Sequence, residues 1–280
     1  MNITAFPALA CPLDGAPLSC TGSTWRCPAG HSFDVAAHGY TNLLPVHKKR
    51  SLDPGDRKEM VAARRRFLAA GHYQPIADAV AGALLAGLPG DASCLDAGCG
   101  EGYYLRRLAA AARAGQGLAI LGLDISKWAV AAAAKQDRRP NWVVGSNANL
   151  PVLSGMLDRV LCLFGFPVYA EFARVLKAGG ELVQVDAGPG HLRELREIIY
   201  PALKPERATA APTPPGFTRR GTETLGYSFA LAGAEPIADL LTMTPHLYRA
   251  SAEGRARAAA LTALTLTVDV RLARFARDAG

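Results

Sequence analysis

The chain has no stretch of 18 apolar residues and no basic-then-apolar run at its start. The first absence argues against a helical membrane span, the second against a secretory leader, and the expectation is a soluble, cytoplasmic protein with no membrane partner. Six cysteines in 280 residues are too few for the disulfide framework that staples small secreted domains. No internal repeat and no extended low-complexity tract occurs, so repeat arrays and largely disordered chains drop out. What remains is a chain that is 50% apolar, enough for one good core with room for a small extra domain. The net charge of +7 has the sign expected of a protein that meets phosphates.

The most informative stretch is Asp96-Ala97-Gly98-Cys99-Gly100-Glu101-Gly102. It follows the apolar run Ser93-Cys94-Leu95 and precedes a helical pattern from Tyr103, the front half of a βαβ unit. Its glycines let a ligand approach the backbone more closely than a Cβ would allow. A second strand pattern ends in Asp124, 22 residues after Gly102, where a carboxylate can accept hydrogen bonds from both hydroxyls of a ribose. Dinucleotide sites read Gly-x-Gly-x-x-Gly. Here the order is Asp-x-Gly-x-Gly-x-Gly, whose leading acid suits a ligand carrying an ammonium group. The run resembles motif I of the class I S-adenosylmethionine (SAM) methyltransferases.

Periodicity then predicts an α/β alternation. Strands are expected at Cys94–Asp96, Ala119–Asp124, Trp142–Gly145, Arg159–Phe164 and Glu181–Val185. Helices are expected at Tyr103–Ala112, Lys127–Lys135, Ala170–Leu176 and His191–Leu203. Two further helices precede the first strand, one from Asp56 as N-cap to about Ala70, the other from Ile76 to Leu88. Strict alternation over Leu264–Leu272 marks a half-buried strand of a terminal antiparallel hairpin. Residues 1–46 hold turn formers and three cysteines and need a staple to fold. Cys11, Cys27 and His31 are natural zinc ligands, with Asp14 or Cys20 as the fourth and Asp14 preferred because it stands at the knuckle position of Cys11-Pro12-Leu13-Asp14-Gly15. The division is 1–46, a zinc-binding module; 47–90, a basic linker with helices; and 91–280, the cofactor domain. From His47 to Arg66 the linker carries eight Lys/Arg against three Asp/Glu, a candidate phosphate track through His47-Lys48-Lys49-Arg50 and Arg64-Arg65-Arg66.

Nearly the whole chain resembles the bacterial 23S ribosomal RNA guanine-N1 methyltransferases of the RlmA type, including the tylosin-resistance relatives. The zinc module ending His31-Ser32-Phe33-Asp34 carries the likeness, as do Gly39-Tyr40-Thr41-Asn42-Leu43-Leu44-Pro45 and Asp53-Pro54-Gly55-Asp56. So do Arg64-Arg65-Arg66-Phe67-Leu68, Gly71-His72-Tyr73-Gln74-Pro75, the glycine motif and Gly188-Pro189-Gly190-His191-Leu192. It implies a class I SAM-dependent methyltransferase domain of Rossmann-like α/β fold behind a small N-terminal zinc-binding module and helical linker. The implied cofactors are SAM and Zn2+, and the implied substrate is a hairpin-loop guanine of 23S rRNA. It also implies SAM contacts at Tyr73, Gly100, Glu101 and His191, which join Asp96, Gly98, Gly102 and Asp124 as cofactor-binding candidates. A homodimer is a further expectation.

Methyltransferases acting on the exocyclic amine of adenine carry Asp/Asn-Pro-Pro-Tyr/Phe after the fourth strand. This chain has Phe164-Gly165-Phe166-Pro167-Val168, with aromatics to stack a base and no amide or carboxylate, which fits a ring-nitrogen target. Asp186, at the end of the fifth strand, lies near the expected transfer site, and no catalytic residue is assigned. Two other functions fit the same cofactor site: methylation of a small molecule, or a non-catalytic ribosome-assembly factor that binds SAM.

Overall fold

The computed structural model describes residues 2–45, 51, 53–112, 115, 117–203 and 212–279. The basic cluster His47-Lys48-Lys49-Arg50 and most of the Pro/Thr-rich stretch 205–215 lie outside the described residues. Turn-rich sequence at the N-terminus yields short strands: β1 (Asn2–Thr4), β2 (Ser19–Thr21), β3 (Thr24–Arg26), β4 (Ser32–Asp34) and β5 (Tyr40–Asn42). Strands β2, β3 and β4 form a small antiparallel sheet. Two helices follow, α1 (Lys58–Ala69) and α2 (Gln74–Leu85). Pro75 in the first turn of α2 suits its start, since a proline there costs no intrahelical hydrogen bond. Asp56 does not cap α1. The cap position is Arg57, without a side-chain bond, and the Asp56 carboxylate is drawn instead to the Arg64 guanidinium.

The alternation then appears as β6 (Asp91–Ala97), α3 (Tyr103–Ala111), β7 (Gly117–Asp124), α4 (Lys127–Gln136), β8 (Asn141–Val144), β9 (Leu157–Leu163), α5 (Tyr169–Val175), β10 (Leu176–Ala187) and α6 (Arg193–Ile199). The chain closes with β11 (Phe217–Ala232), three helices α7 (Ala234–Met243), α8 (His246–Arg249) and α9 (Ala252–Ala259), and β12 (Ala263–Arg277). Among the described residues nine strands make one sheet in the order β11-β12-β10-β9-β6-β7-β8-β5, with β1 added beside β7. Strands β6 to β10 run parallel and β12 is antiparallel to both its neighbours. This is a mixed, Rossmann-like sheet. The strand expected at Glu181–Val185 begins earlier, at Leu176, with an irregularity between Leu176 and Glu181.

Each face of the sheet has its own core. On one face α2, α3 and α4 bring Ile76, Val80, Leu105, Leu108 and Val130 onto Cys94, Ile120 and Val183. The other face has no helix between β8 and β9. There the N-terminal segment takes the place of a helix. Phe6, Leu9, Leu18 and Leu43 pack with Leu95, Leu121, Val160 and Phe172 of α5, and Ala10 N–H donates to the Pro151 carbonyl at 3.0 Å while Leu153 N–H donates to that of Ala8 at 3.0 Å. Through β1 and β5 the first 45 residues also extend the central sheet. Strand β7 is buried along nearly its whole length, the continuous apolar pattern of a parallel strand covered on both sides.

Candidate cofactor site and metal centre

The glycine turn leaves β6 at the carboxyl edge of the sheet, where ligands of open α/β folds bind. Gly98 and Cys99 N–H groups both donate to the Leu123 carbonyl, at 2.8 and 2.9 Å, so the turn is pinned to β7. Gly102 has φ of +81°, and a Cβ there would lie 2.5 Å from the Trp142 ring; only glycine lets the turn close onto that buried indole. Asp124, at the tip of β7, accepts Gly100 N–H on one oxygen at 2.9 Å and Ser126 N–H on the other at 2.8 Å. Each oxygen keeps a lone pair for a ligand hydroxyl.

Asp96 is almost fully buried, and its Oδ1 has no hydrogen-bond partner among the described residues. Burial, reinforced by the nearby Asp124 charge, pushes its carboxyl up to about 8. An orphaned buried carboxylate oxygen beside a glycine turn is the complement of a ligand ammonium. The donor set therefore fits SAM, with acid for the amino-acid end and acid for the ribose.

Tyr73 and His191 meet over this edge. The Tyr73 Oη lies 3.2 Å from His191 Nε2, and Asp269 N–H donates to His191 Nδ1 at 3.4 Å. With Nδ1 accepting, the ring proton sits on Nε2 and is given to Tyr73, which leaves the tyrosine hydroxyl hydrogen free to donate onward. Burial holds His191 neutral by lowering its pKa to about 4, against a smaller opposing pull from Asp269. Phe164 stands 5.5 Å from the His191 ring and is 39% exposed, whereas Phe166 is 87% exposed. The first is seated in the cluster and the second projects into solvent.

Not every predicted residue faces the same way. The Glu101 carboxylate is held by Arg106 at 2.9 Å and Gln136 at 2.6 Å, so a contact from Glu101 to the cofactor falls to its backbone. The three-arginine run divides into three roles. Arg64 joins Asp56 and the Met243 carbonyl, Arg66 clamps the buried Asp239, and Arg65 is exposed with no acidic partner among the described residues. The linker does more than connect. Ser126 Oγ donates to the Asp56 carbonyl at 2.6 Å and Trp128 Nε1 to Asp53 at 2.7 Å. Gly55 lies so near Ile125 and Ser126 that a Cβ would come within 2.8 Å of the isoleucine. Residues 53–56 thus roof the loop after β7.

Sequence reasoning missed Asn147. Its Nδ2 reaches the Ala97 and Phe166 carbonyls at 3.3 Å each, and its Oδ1 is buried without a partner among the described residues. Its place just past β8 at the ligand edge was the available signal.

The metal candidates converge. Cys11 Sγ and Cys27 Sγ lie 3.5 and 3.4 Å from His31 Nδ1, Asp14 Oδ2 lies 3.1 Å from His31 Nδ1 and 3.3 Å from Cys27 Sγ, and all four ligand atoms fall within 4.8 Å of one another. Ligands at zinc bond lengths in a tetrahedron stand about 3.3–3.8 Å apart, so the set fits a zinc ion. Cys20 is on β2, exposed, with its thiol toward the Gly22 carbonyl, and is not part of the cluster.

Comparison with known proteins agrees with both halves. Residues 9–52 match the family described as RlmA, N-terminal, a zinc ribbon, and residues 94–180 match one described as methyltransferase domain. A Micromonospora griseorubida protein, named as a candidate 23S rRNA (guanine-N(1)-)-methyltransferase, is 35% identical over 300 residues, which cover 98% of this chain and 99% of that one. The 23S rRNA (guanine(748)-N(1))-methyltransferase of Streptomyces fradiae is 38% identical over 68% of this chain and 67% of its own. Bacillus subtilis YxjB, another candidate of the same name, is 34% identical over 70% of each.

Proposed function

The chain belongs to the 23S rRNA (guanine-N1)-methyltransferase family, and on that premise we propose that it methylates N1 of a hairpin-loop guanine in 23S rRNA, in the bacterial cytoplasm. The observation that carries this reading is the pairing, in one folded unit, of a four-residue cluster that fits a zinc ion with a glycine turn that holds an orphaned buried carboxylate. When bound, SAM supplies a methyl group on a sulfonium centre already activated for displacement. What the protein adds is position and the handling of one proton.

The residues divide that work. Asp96 receives the ammonium of the amino-acid end, and Asp124 the ribose hydroxyls. Gly98, Gly100, Glu101 and Gly102 form the backbone cradle between them. Tyr73, oriented by His191, donates its hydroxyl toward the amino-acid end and closes that side of the pocket. Guanine N1 is normally paired, so the base must come from a loop or be turned out of a helix; Phe164 and Phe166 offer it rings to stack on. Cys11, Asp14, Cys27 and His31 hold the zinc that staples residues 1–46, the RNA-recognition module. Residues 47–90 link it to the catalytic domain, 91–280. A second copy of the chain pairing along the outer edge of β11 would give a homodimer.

Labelled-methyl transfer to unmodified 23S rRNA separates this reading from its rivals. Label in the RNA is the expected result. Label only in small metabolites would assign a small-molecule methyltransferase, and tight SAM binding without any transfer would assign an assembly factor.

A further inference from the structure

Methylation of guanine N1 requires that the N1 proton leave, and the carboxylates along the sheet edge can be sorted by what already holds them. Asp96 faces the cofactor's ammonium, Asp124 binds two backbone N–H groups, and Glu101 is paired with Arg106. Asp269 accepts Gly190 N–H at 2.8 Å and is packed under the Gly188–Gly190 turn. His191 has both ring nitrogens engaged and resists protonation.

Asp186 is different. It stands at the carboxyl end of β10, half-buried, with one oxygen accepting from Gln184 Nε2 at 2.7 Å. Gln184 is itself oriented by the Tyr169 hydroxyl, which donates to its Oε1 at 3.1 Å. No ion pair of Asp186 occurs among the described residues, although Arg271 of β12 sits directly across the strand pair from it. On β9 the Cys162 thiol lies under the Phe164-Gly165-Phe166 turn, 3.2 Å from where a Gly165 Cβ would be. Burial and the charges of Asp96 and Asp186 together push that thiol up to about 12. Phe164 N–H donates to the Val185 carbonyl at 2.9 Å, which sets the next residue, Asp186, beside the aromatic turn at the carboxyl edge of the sheet, held in one orientation, with an oxygen to spare.

We propose that Asp186 is the catalytic residue that accepts the guanine N1 proton, held for that purpose by the Tyr169–Gln184 hydrogen-bond chain. The assignment rests on the guanine-N1 reading above. The N1–H bond breaks and its proton goes to the free Asp186 oxygen. The N1 electron pair forms the new N1–CH3 bond, and the pair of the S–CH3 bond returns to sulfur. The sulfonium and carboxylate charges vanish together, so no oxidant or further reactant is needed.

Two measurements test this. In the cofactor-free protein, a 23S hairpin fragment bearing guanine should bind about tenfold or more tightly than the same fragment bearing N1-methylguanine, because only the first can donate N1–H to a carboxylate. Asp186→Ala should remove most of that gap. Asp186→Asn should lower kcat about 100-fold or more with SAM affinity unchanged, Asp186→Glu should restore part of it, and rising pH should narrow the Asp186→Asn deficit as N1 ionises unaided. A wild-type kcat in Asp186→Asn, an unchanged gap in Asp186→Ala, or a deficit that tracks lost SAM affinity overturns the assignment. Failure of the wild-type protein to methylate 23S rRNA would instead bring down the guanine-N1 reading itself, and this assignment with it.

Discussion

Two carboxylates beside the same glycine turn have opposite environments, and that difference gives them different tests. Asp124 is fixed by two backbone N–H groups, so Asp124→Asn, which keeps its shape, should weaken SAM binding by about 1–3 kcal/mol through loss of the charged acceptor. Calorimetric titration reads this directly, and an unchanged affinity would remove Asp124 from the site. Asp96 lacks such donors, and burial raises its carboxyl from 3.8 to about 8 in the folded state. A raised folded-state pKa means that the native protein binds the proton more tightly. The associated stability is present below about pH 4 and is lost as pH climbs toward 8. His191 and His246, both lowered to about 4 by burial, act in the reverse sense, losing stability as pH falls below their ordinary range. The difference between wild type and Asp96→Asn in denaturant midpoint across that window isolates Asp96. It should shrink as pH falls. SAM should favour the ionised carboxylate, so its binding near neutral pH should release protons, which titrations in buffers of differing ionisation enthalpy detect. Tyr73 and Glu101 show how far a motif can be read. The motif indicates which residues lie at the turn, but only the packing shows that the Glu101 side chain is tied to Arg106 while Tyr73 leans on His191.

Among the elements, the α/β alternation was legible because buried parallel strands are short apolar runs bounded by turn residues, and β6, β7, β8 and β9 fall within a few residues of their expected places. The long β11 was not read, although Leu225, Tyr227, Phe229 and Leu231 alternate inward with the same period of two that marked β12. Strand β5 was hidden for a different reason. Tyr40–Asn42 is too short to carry a pattern, and its pairing with β8 is decided by tertiary contact. The three-arginine run shows the same limit, since nothing in consecutive arginines says which one packs inward. Arg66→Ala strips Asp239 of its bidentate partner and should lower the melting temperature, whereas Arg65→Ala should leave it unchanged. Arg65→Ala should instead weaken RNA binding and reduce the salt slope by about one contact. Melting curves and salt-dependent binding isotherms distinguish the two; equal loss of stability in both would refute the division of roles.

At the scale of the whole molecule, the N-terminal module and the methyltransferase sheet share a core. Cys11 and Cys27 belong to the same apolar cluster as Leu95, Leu121 and Phe172, and β1 and β5 are strands of the central sheet. A module too small to fold alone is expected to depend on its metal. Here the dependence should extend beyond the module. Chelation, or Asp14→Ala, should release zinc and lower the melting temperature of the protein in a single transition, while Cys20→Ala should retain both zinc and stability. Two separate transitions, with the upper one unmoved, would show the module to be an independent appendage. Residues 53–56 lie on the loop after β7, so the linker is also tied to the sheet edge that carries the glycine turn. The most direct test is the position of the methyl group on the RNA. After reaction of the protein with unmodified 23S rRNA and SAM, reverse transcription should halt at one hairpin-loop guanine, because a methyl on N1 blocks its pairing face, and nuclease digestion should yield 1-methylguanosine. Methylated RNA that is copied without a halt, or that yields any other methylated nucleoside, would contradict the account.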